Sequence, residues 1–589
     1  MRRISFLFAC VVLASCLLAG CGKGNIVINS PDGRIRVKVT DTALVVSYNR
    51  TEIQTVRMNL EGSESFYFDR NPKKLLYEMI SGKRSECFNS YREVLLRANN
   101  GNSLILRACN DGIAFRFIMG DGYVSYVIPE GRKRWLQTLR TDYEGFYPES
   151  TGARDGNYAY PALVEYGDGV FGLITESDVA HGHGCSHLVC KGDEYTVFGD
   201  DNADNALNPF RIIMIGTLSD IVESTLVTDV AVQCQIQDTS WIKPGVSSWI
   251  YWANNHGSKD FNKVKEYIDL AHDMHWPYTL IDWEWDEMSG GGNIEDALAY
   301  ARERGVKVNL WYNSGTSWIG PGAPGPQDRL RTAEAREREM TRLEEMGVTG
   351  IKVDFFLPDK SDMVDYYLDI LEDAARHHLL VDFHGCTIPR GWSRTWPNLM
   401  SMEAVYGAEW YNNNRRMTNA AAAHNATLPF TRNVIGPMDY TPCTFTDSQN
   451  PHITTDCHEL ALPILFESGL QHMADCPEAY LNLPEPVKKL LSGLPSAWDD
   501  TRLLAGYPGQ SAVIARRSGD IWYIAGINGT NEEITIEPDY SRIGKSVVLK
   551  TLITDRGSEP GQGFDIGQNV KADKLVLPAR GGFVAIVRL

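Results

Sequence analysis

Along the chain, the spacing of apolar and polar residues changes twice. From about Asn25 to about Gln237, short runs such as IRVKVTDTALVVSYN, LILRACNDGIAFRFIM and GVFGLITESD alternate apolar with polar positions and break at Gly, Asp and Asn. A period of two with frequent turns predicts an antiparallel β-sandwich. From about Ser247 strand-like and helix-like segments take turns. SSWIYWAN precedes FNKVKEYIDLAHDMH, YTLIDWEWD precedes IEDALAYARERG, and VKVNLWYNS precedes RLRTAEAREREMTRLEEMG. GIKVDFF, SDMVDYYLDILEDAARHH, LLVDFHG, NLMSMEAVYGAEW, TLPFTRNVIG and an apolar helix HELALPILFESGLQHMA complete the series. That many strand–helix units predict a (β/α)8 TIM barrel. A doubly wound sheet is the rival, but no glycine-rich phosphate turn follows the first strand. Strands return from about Ser496, where SAVIARR and IWYIAGING flank Ser518-Gly519-Asp520 as a hairpin and RGGFVAIVRL closes a small β-domain. The expected division is an N-terminal β-sandwich at 25–240, a catalytic barrel at 245–490 and a C-terminal β-domain at 496–589.

The first residues, MRRISFLFACVVLASCLLAGCGKGN, have the arginines, short apolar run and polar exit of an export signal. Leu18-Ala19-Gly20-Cys21 resembles a bacterial lipobox; Leu13-Ala14-Ser15-Cys16 is a second candidate. Residues 1–21 are therefore expected to be a lipoprotein signal peptide, with membrane attachment only through lipid on Cys21 and a location in the periplasm or at the outer membrane. The apolar run is short for a bilayer-spanning helix. Lysine and arginine number 57 against 75 acids, a net charge of -18, and no basic run is present. That balance excludes nucleic acid as an expected partner. Twelve cysteines, nine of them beyond Cys21, do not form a disulfide framework. Cys185 and Cys190 lie among His181, His183 and His187 and imitate a metal site, but a second Cys/His pair at zinc spacing is missing.

In GIKVDFF, Lys352 and Asp354 are two residues apart and so share one strand face. Active sites of such barrels sit at the C-terminal strand ends. The polar residues there are Asp282, Glu284 and Asp286 on the second strand, Asn313 on the third, Lys352 and Asp354 on the fourth and His384 on the fifth. Glu403 and Glu409 follow the sixth, and Arg432 and Asp439 the seventh. Trp252, Trp283, Trp285, Trp311 and Trp318 accompany them. Acids with aromatic platforms suit a carbohydrate: aromatic faces stack on sugar C–H faces, while paired carboxyl groups do the work of glycoside hydrolysis. Glu284 and Asp286 read as loop solvation. Asp282 reads equally as a cap, and His384 as a core histidine. Lys352 and Asp354 read either as a structural ion pair or as a functional one.

The order of domains, with GIKVDFF, NLMSMEAVYGAEW and TRNVIGPMDYTP in succession, resembles glycoside hydrolase family 97. The resemblance implies two branches. In the retaining branch an aspartate ends the fourth strand as nucleophile, here Asp354. In the inverting branch a glutamate follows the fifth-strand histidine as base, but here Gly385 follows His384. The resemblance implies Glu409 as general acid/base and calcium held by Glu403, Glu409 and a sandwich glutamate, matched to Glu176 in GLITESD. Retention predicts about 5 to 5.5 Å between the two catalytic carboxyl groups. Lys352 would hold a sugar hydroxyl and keep Asp354 ionised, with His384, Asp282, Trp283, Asn313, Arg432 and Asp439 completing the substrate contacts. The implied activity is exo-acting α-galactosidase on glycans, with β-L-arabinopyranosidase and then α-glucosidase as alternatives. A lipid-anchored glycan-binding protein that has lost catalysis is the reading from another class.

Overall fold

The computed structural model describes residues 26–588 except 69–70, 200–208, 316–321, 357–358 and 448. The signal segment with Cys16 and Cys21, and Trp318, lie outside the described residues. Two antiparallel sheets, of eight and ten strands, stack as the N-terminal sandwich. The strand Ile35–Val39 shows the alternation at work: Ile35, Val37 and Val39 are buried while Arg36 is exposed and Lys38 partly so. Cys185 and Cys190 are buried free thiols.

The central domain carries seven parallel strands: Gly245–Trp249, Tyr278–Ile281, Lys307–Asn313, Gly350–Asp354, Leu380–Phe383, Leu399–Met402 and Leu470–Met473. Their helices form for local reasons. Ile294–Arg304 opens on a reciprocal capping box between Asn293 and Asp296 and closes at Gly305, whose φ of 71° favours glycine. Ser361–Arg376 buries Val364, Tyr367, Leu368 and Leu371, the i, i+3, i+4, i+7 stripe of a helix laid on a sheet. Two expectations are corrected. TLPFTRNVIG does not make a seventh strand but the short turns Leu428–Phe430 and Arg432–Val434, because its backbone groups bond locally and Met438 and Asp439 donate to Glu467 and Met402. HELALPILFESGLQHMA is not one helix: it breaks after Leu465, and Leu470–Met473 is the strand that pairs with Gly245–Trp249 at one edge of a nearly closed barrel.

The C-terminal domain is a six-stranded antiparallel sheet with a two-stranded partner. Its Arg516 donates to the carbonyls of Ile464 and Leu465, satisfying the C-terminal end of the helix Asp456–Leu465. Among the described residues no helix is long and apolar enough to cross a membrane.

Candidate active site

The fourth strand ends at the barrel mouth with Lys352 and Asp354. Register pairs Lys352 with Trp311 and Asp354 with Asn313 on the third strand. One Asp354 oxygen accepts the Phe355 N–H at 2.8 Å, and the other accepts the Trp311 indole N–H at 3.2 Å. Burial pushes Asp354 up to about 6; His384 and Lys352 pull it down and Glu409 adds to the rise. Lys352, expected to keep Asp354 ionised, does act in that direction, but burial outweighs it. Lys352 itself is buried, 3.6 Å from Asp282 and 4.4 Å above the Trp249 ring. Burial works against its ammonium, yet Asp282, Asp354, Glu409 and Asp439 hold it well above the usual lysine range. Asp282 accepts the Trp249 indole N–H at 2.6 Å and the Trp283 backbone N–H at 2.9 Å.

Glu403 is 2 % exposed, with one oxygen 2.7 Å from the Gly385 N–H and the other without a partner. Glu409 lies on the short turn Ala408–Tyr411, half-buried. Burial, then Glu409, Glu144 and Asp354, push Glu403 well above the carboxylate range. Glu144 was not among the sequence candidates. It comes from the sandwich, in TDYEGFYPES, and its carboxylate accepts the Trp410 indole N–H. Burial, Asp142 and Glu409 push it up as well. The preceding residue anchors it: the Tyr143 hydroxyl bonds Asp359 and lies 3.3 Å from Arg390. Nothing in the local periodicity marks Glu144, since the segment is irregular. Tyr251, two residues beyond Trp249, is a further residue of this mouth: its ring meets the Trp283 ring edge-on at 4.8 Å, and burial, then Glu409 and Asp282, raise its hydroxyl.

Several expected contacts are corrected. Glu176 is not free to hold a metal: Arg211 and Arg390 pair with it, and Ser186 donates both its N–H at 2.9 Å and its hydroxyl at 2.5 Å. Arg432 does not face the mouth but donates to the carbonyls of Met402, Glu403, Ala404, Gly436 and Pro437, clamping the turn that carries Glu403. The Asn313 amide bonds Pro324 and Gly315 and so builds a loop. Asp439 and His384 are each 1 % exposed, behind the mouth, with 2.7 Å between Asp439 Oδ2 and His384 Nε2. His472 Nδ1 approaches the same oxygen at 2.7 Å. Burial works against the Asp439 carboxylate, but His472 and both imidazole hydrogen bonds hold it well below the usual range. Among the tryptophans, Trp252 and Trp285 are buried with their indole N–H groups on Ala408 and Trp311 carbonyls. Trp311 is buried beside Asp354, and Trp283 is the half-buried one. Glu284 and Asp286 pair with His256 and Arg329, as loop solvation requires.

The donor atoms of His384, Glu403 and Glu409 lie within 4.8 Å of one another. With the unpartnered Glu403 oxygen and Glu144 close by, this set fits a divalent cation, since a buried group of acids needs a compensating charge. Two acids flanking a barrel mouth, one at a strand end and one on a neighbouring turn, can carry out acid/base and nucleophilic chemistry on a glycoside.

Residues 28–232, 241–405 and 497–588 match the family descriptions glycosyl-hydrolase 97 N-terminal, glycoside hydrolase 97, and glycosyl-hydrolase 97 C-terminal, oligomerisation. Glu409 lies just past the second match. A probable retaining alpha-galactosidase of Streptomyces bingchenggensis is 38% identical over 513 residues, 82% of this chain and 76% of that protein. A retaining alpha-galactosidase of Bacteroides thetaiotaomicron is 26% identical over 692 residues, covering 100% of each chain. A crystal structure of a beta-arabinopyranosidase is similar with TM-score 0.87 and 27% identity, over 96% of this chain and 100% of that one. With three matched segments in order across most of its length, this chain belongs to glycoside hydrolase family 97.

Proposed function

We propose that this glycoside hydrolase is a retaining, exo-acting enzyme that releases terminal α-D-galactose from glycans by double displacement. The observation that carries the reading is the corner shared by Asp354 and Gly385. A Cβ added at Gly385 would lie 3.0 Å from Asp354 Oδ1, and the glycine has φ +46°, so Asp354 occupies the room that a side chain at 385 would need. The chain carries its second carboxyl at the strand end rather than after the histidine.

In the first step Asp354 attacks the anomeric carbon while Glu409 gives a proton to the departing oxygen. In the second, Glu409 takes a proton from water, and that water displaces Asp354. A nucleophile pushed up to about 6 is still mostly ionised at neutral pH. Lys352 and Asp282 are placed to fix hydroxyls, and Trp283 offers a ring face. Glu403, Glu409 and Glu144 would hold calcium, whose charge offsets the repulsion among them.

The names of the two relatives support galactose. A β-L-arabinopyranosidase is the second reading, favoured by the 27% identical structure. That sugar is the same ring without its hydroxymethyl group, and a pocket discriminates weakly against one missing carbon unless it bonds that group's hydroxyl. The test is proton NMR of 4-nitrophenyl α-D-galactopyranoside cleavage, read before mutarotation, with kcat/KM compared on the β-L-arabinopyranoside. Early α-anomer and a galactoside preference support the proposal. Early β-anomer defeats retention, and a binding protein would cleave neither. The lipobox reading is checked separately by Cys21→Ser, which should release the enzyme from membranes.

A further inference from the structure

In the N-terminal sandwich, the strands Lys73–Glu78 and Glu86–Arg97 run antiparallel, and their register sets Leu76 beside Phe88 on one face. Leu76 is 73 % exposed and Phe88 56 %. Single apolar side chains at a surface are ordinary, but two side by side on the rim of a cleft form a platform that a ligand can cover. Phe88 forms one wall of a cleft of about 280 Å³ where the sandwich meets the C-terminal domain. Ile80, in the turn between the two strands, packs on the cluster of Tyr278, Leu380, Met400 and Leu470, which sit at the N-terminal ends of their barrel strands. The hairpin that carries Phe88 therefore lies toward the end of the barrel away from the mouth.

The other walls of the cleft are polar and electrically balanced. Arg34 pairs with Asp32 at 2.6 Å and lies 3.6 Å from Asp220, Arg84 is 3.3 Å from Asp500, and Arg502 and Arg542 reach the two oxygens of Glu223 at 3.1 and 2.7 Å. With Asp111, which accepts the Asn89 amide at 2.9 Å and the Ser224 hydroxyl at 2.6 Å, four guanidinium groups face five carboxylates. No positive charge is left over for an anion. What remains is hydrogen bonding. Arg84 spends one of its N–H donors, on Asp500, and the Asn110 side chain accepts the Asp32 N–H at 3.0 Å with its NH2 unspent. Spare donors beside an exposed ring match a sugar, whose C–H face stacks on an aromatic ring while its hydroxyls donate and accept.

We propose that this cleft is a second carbohydrate site, in which Phe88 stacks on one neutral sugar unit of a glycan while Arg84 and Asn110 bond its hydroxyls. Such a site rests on the substrate's being a glycan and not on which sugar the mouth cleaves. A volume of about 280 Å³ is just below that of ordinary small-molecule pockets, so one sugar unit fits and the rest of the chain lies outside. A glycan held here keeps its other ends near the protein, and the mouth meets them at a raised local concentration.

The test runs the full chain in native gels containing galactomannan, arabinogalactan or the anionic polygalacturonate, and measures kcat/KM on the 4-nitrophenyl α-D-galactopyranoside and β-L-arabinopyranoside alongside. Wild type should be retarded by a neutral polymer and not by polygalacturonate. Phe88→Ala should weaken that apparent affinity about tenfold, as loss of an aromatic anchor does. Its kcat/KM on the nitrophenyl glycosides should stay within about twofold, because the exposed ring supports neither the core nor the mouth. Retardation that Phe88→Ala keeps, and that free galactose abolishes, places the binding at the mouth and overturns the proposal. Retardation by polygalacturonate alone marks an anion site and overturns it, as does passage of wild type through the neutral gels without delay. Retardation that depends on Phe88 in a chain that cleaves neither glycoside supports this site while defeating the reading of the mouth.

Discussion

Two buried glutamates, Glu176 and Glu403, sit where the N-terminal sandwich meets the barrel, and they have opposite surroundings. Glu176 is saturated: two arginines and a serine take up both of its oxygens, and Arg390 continues to Asp359 at 3.2 Å. Glu403 has one backbone N–H and an empty oxygen, with three more acids around it. Saturation keeps the first acid ionised: burial opposes it, but Arg211 and Arg390 hold Glu176 below the ordinary range. Want of partners pushes the second up. A buried acid with every lone pair used is a joint between domains, whereas one with unused lone pairs is arranged for something that comes and goes.

That contrast can be broken from either side. The largest effect is expected for Asp354→Ala, which should lower kcat by at least about 10⁴-fold with folding intact, as loss of a nucleophile does. Circular dichroism alongside kinetics checks it. Glu409→Gln should cost about 10² to 10⁴-fold, and the loss should shrink with better leaving groups, because a nitrophenolate needs little protonation. An equal loss across leaving groups would remove Glu409 from the acid role. On the other side, Glu176→Ala leaves buried Arg211 without a carboxylate and takes one of two from Arg390, and should cost about 3–5 kcal/mol of stability in a denaturant titration, leaving kcat of the folded fraction nearly unchanged. If kcat collapsed instead, the joint would belong to the site. The smallest effect is on pH. Asp354 must be ionised to attack, so kcat/KM should fall about tenfold per unit as the pH drops below about 6. Lys352→Met removes a charge that lowers Asp354, so this limb should move to higher pH.

Strand alternation was enough to bring Lys352 and Asp354 together at one strand end, because a period of two is a local property of the backbone. The three-part architecture was legible for the same reason, as period two gave way to 3.6 and back. The seventh strand was not: TLPFTRNVIG has strand-like composition, yet its backbone turns and bonds locally. Arg432 shows the limit for side chains. Its position at the expected seventh strand suggested a ligand contact, and only the fold reveals five carbonyls converging on it.

The choice between Glu176 and Glu144 marks the boundary most clearly. The sequence by itself determined that sheets, barrel and sheet follow one another, and that a carboxylate and a lysine end the fourth strand, since these depend on neighbours a few residues apart. It placed Glu176 on a good strand, but could not show that Arg390, 214 residues on, would meet it there. Nor could it show that Glu144, in a segment without periodicity, would reach Trp410 across 266 residues and stand beside Glu409. Whether a buried acid is neutralised or left wanting is set by which distant charges the tertiary structure brings within a few ångströms, and that only the packed domains decide.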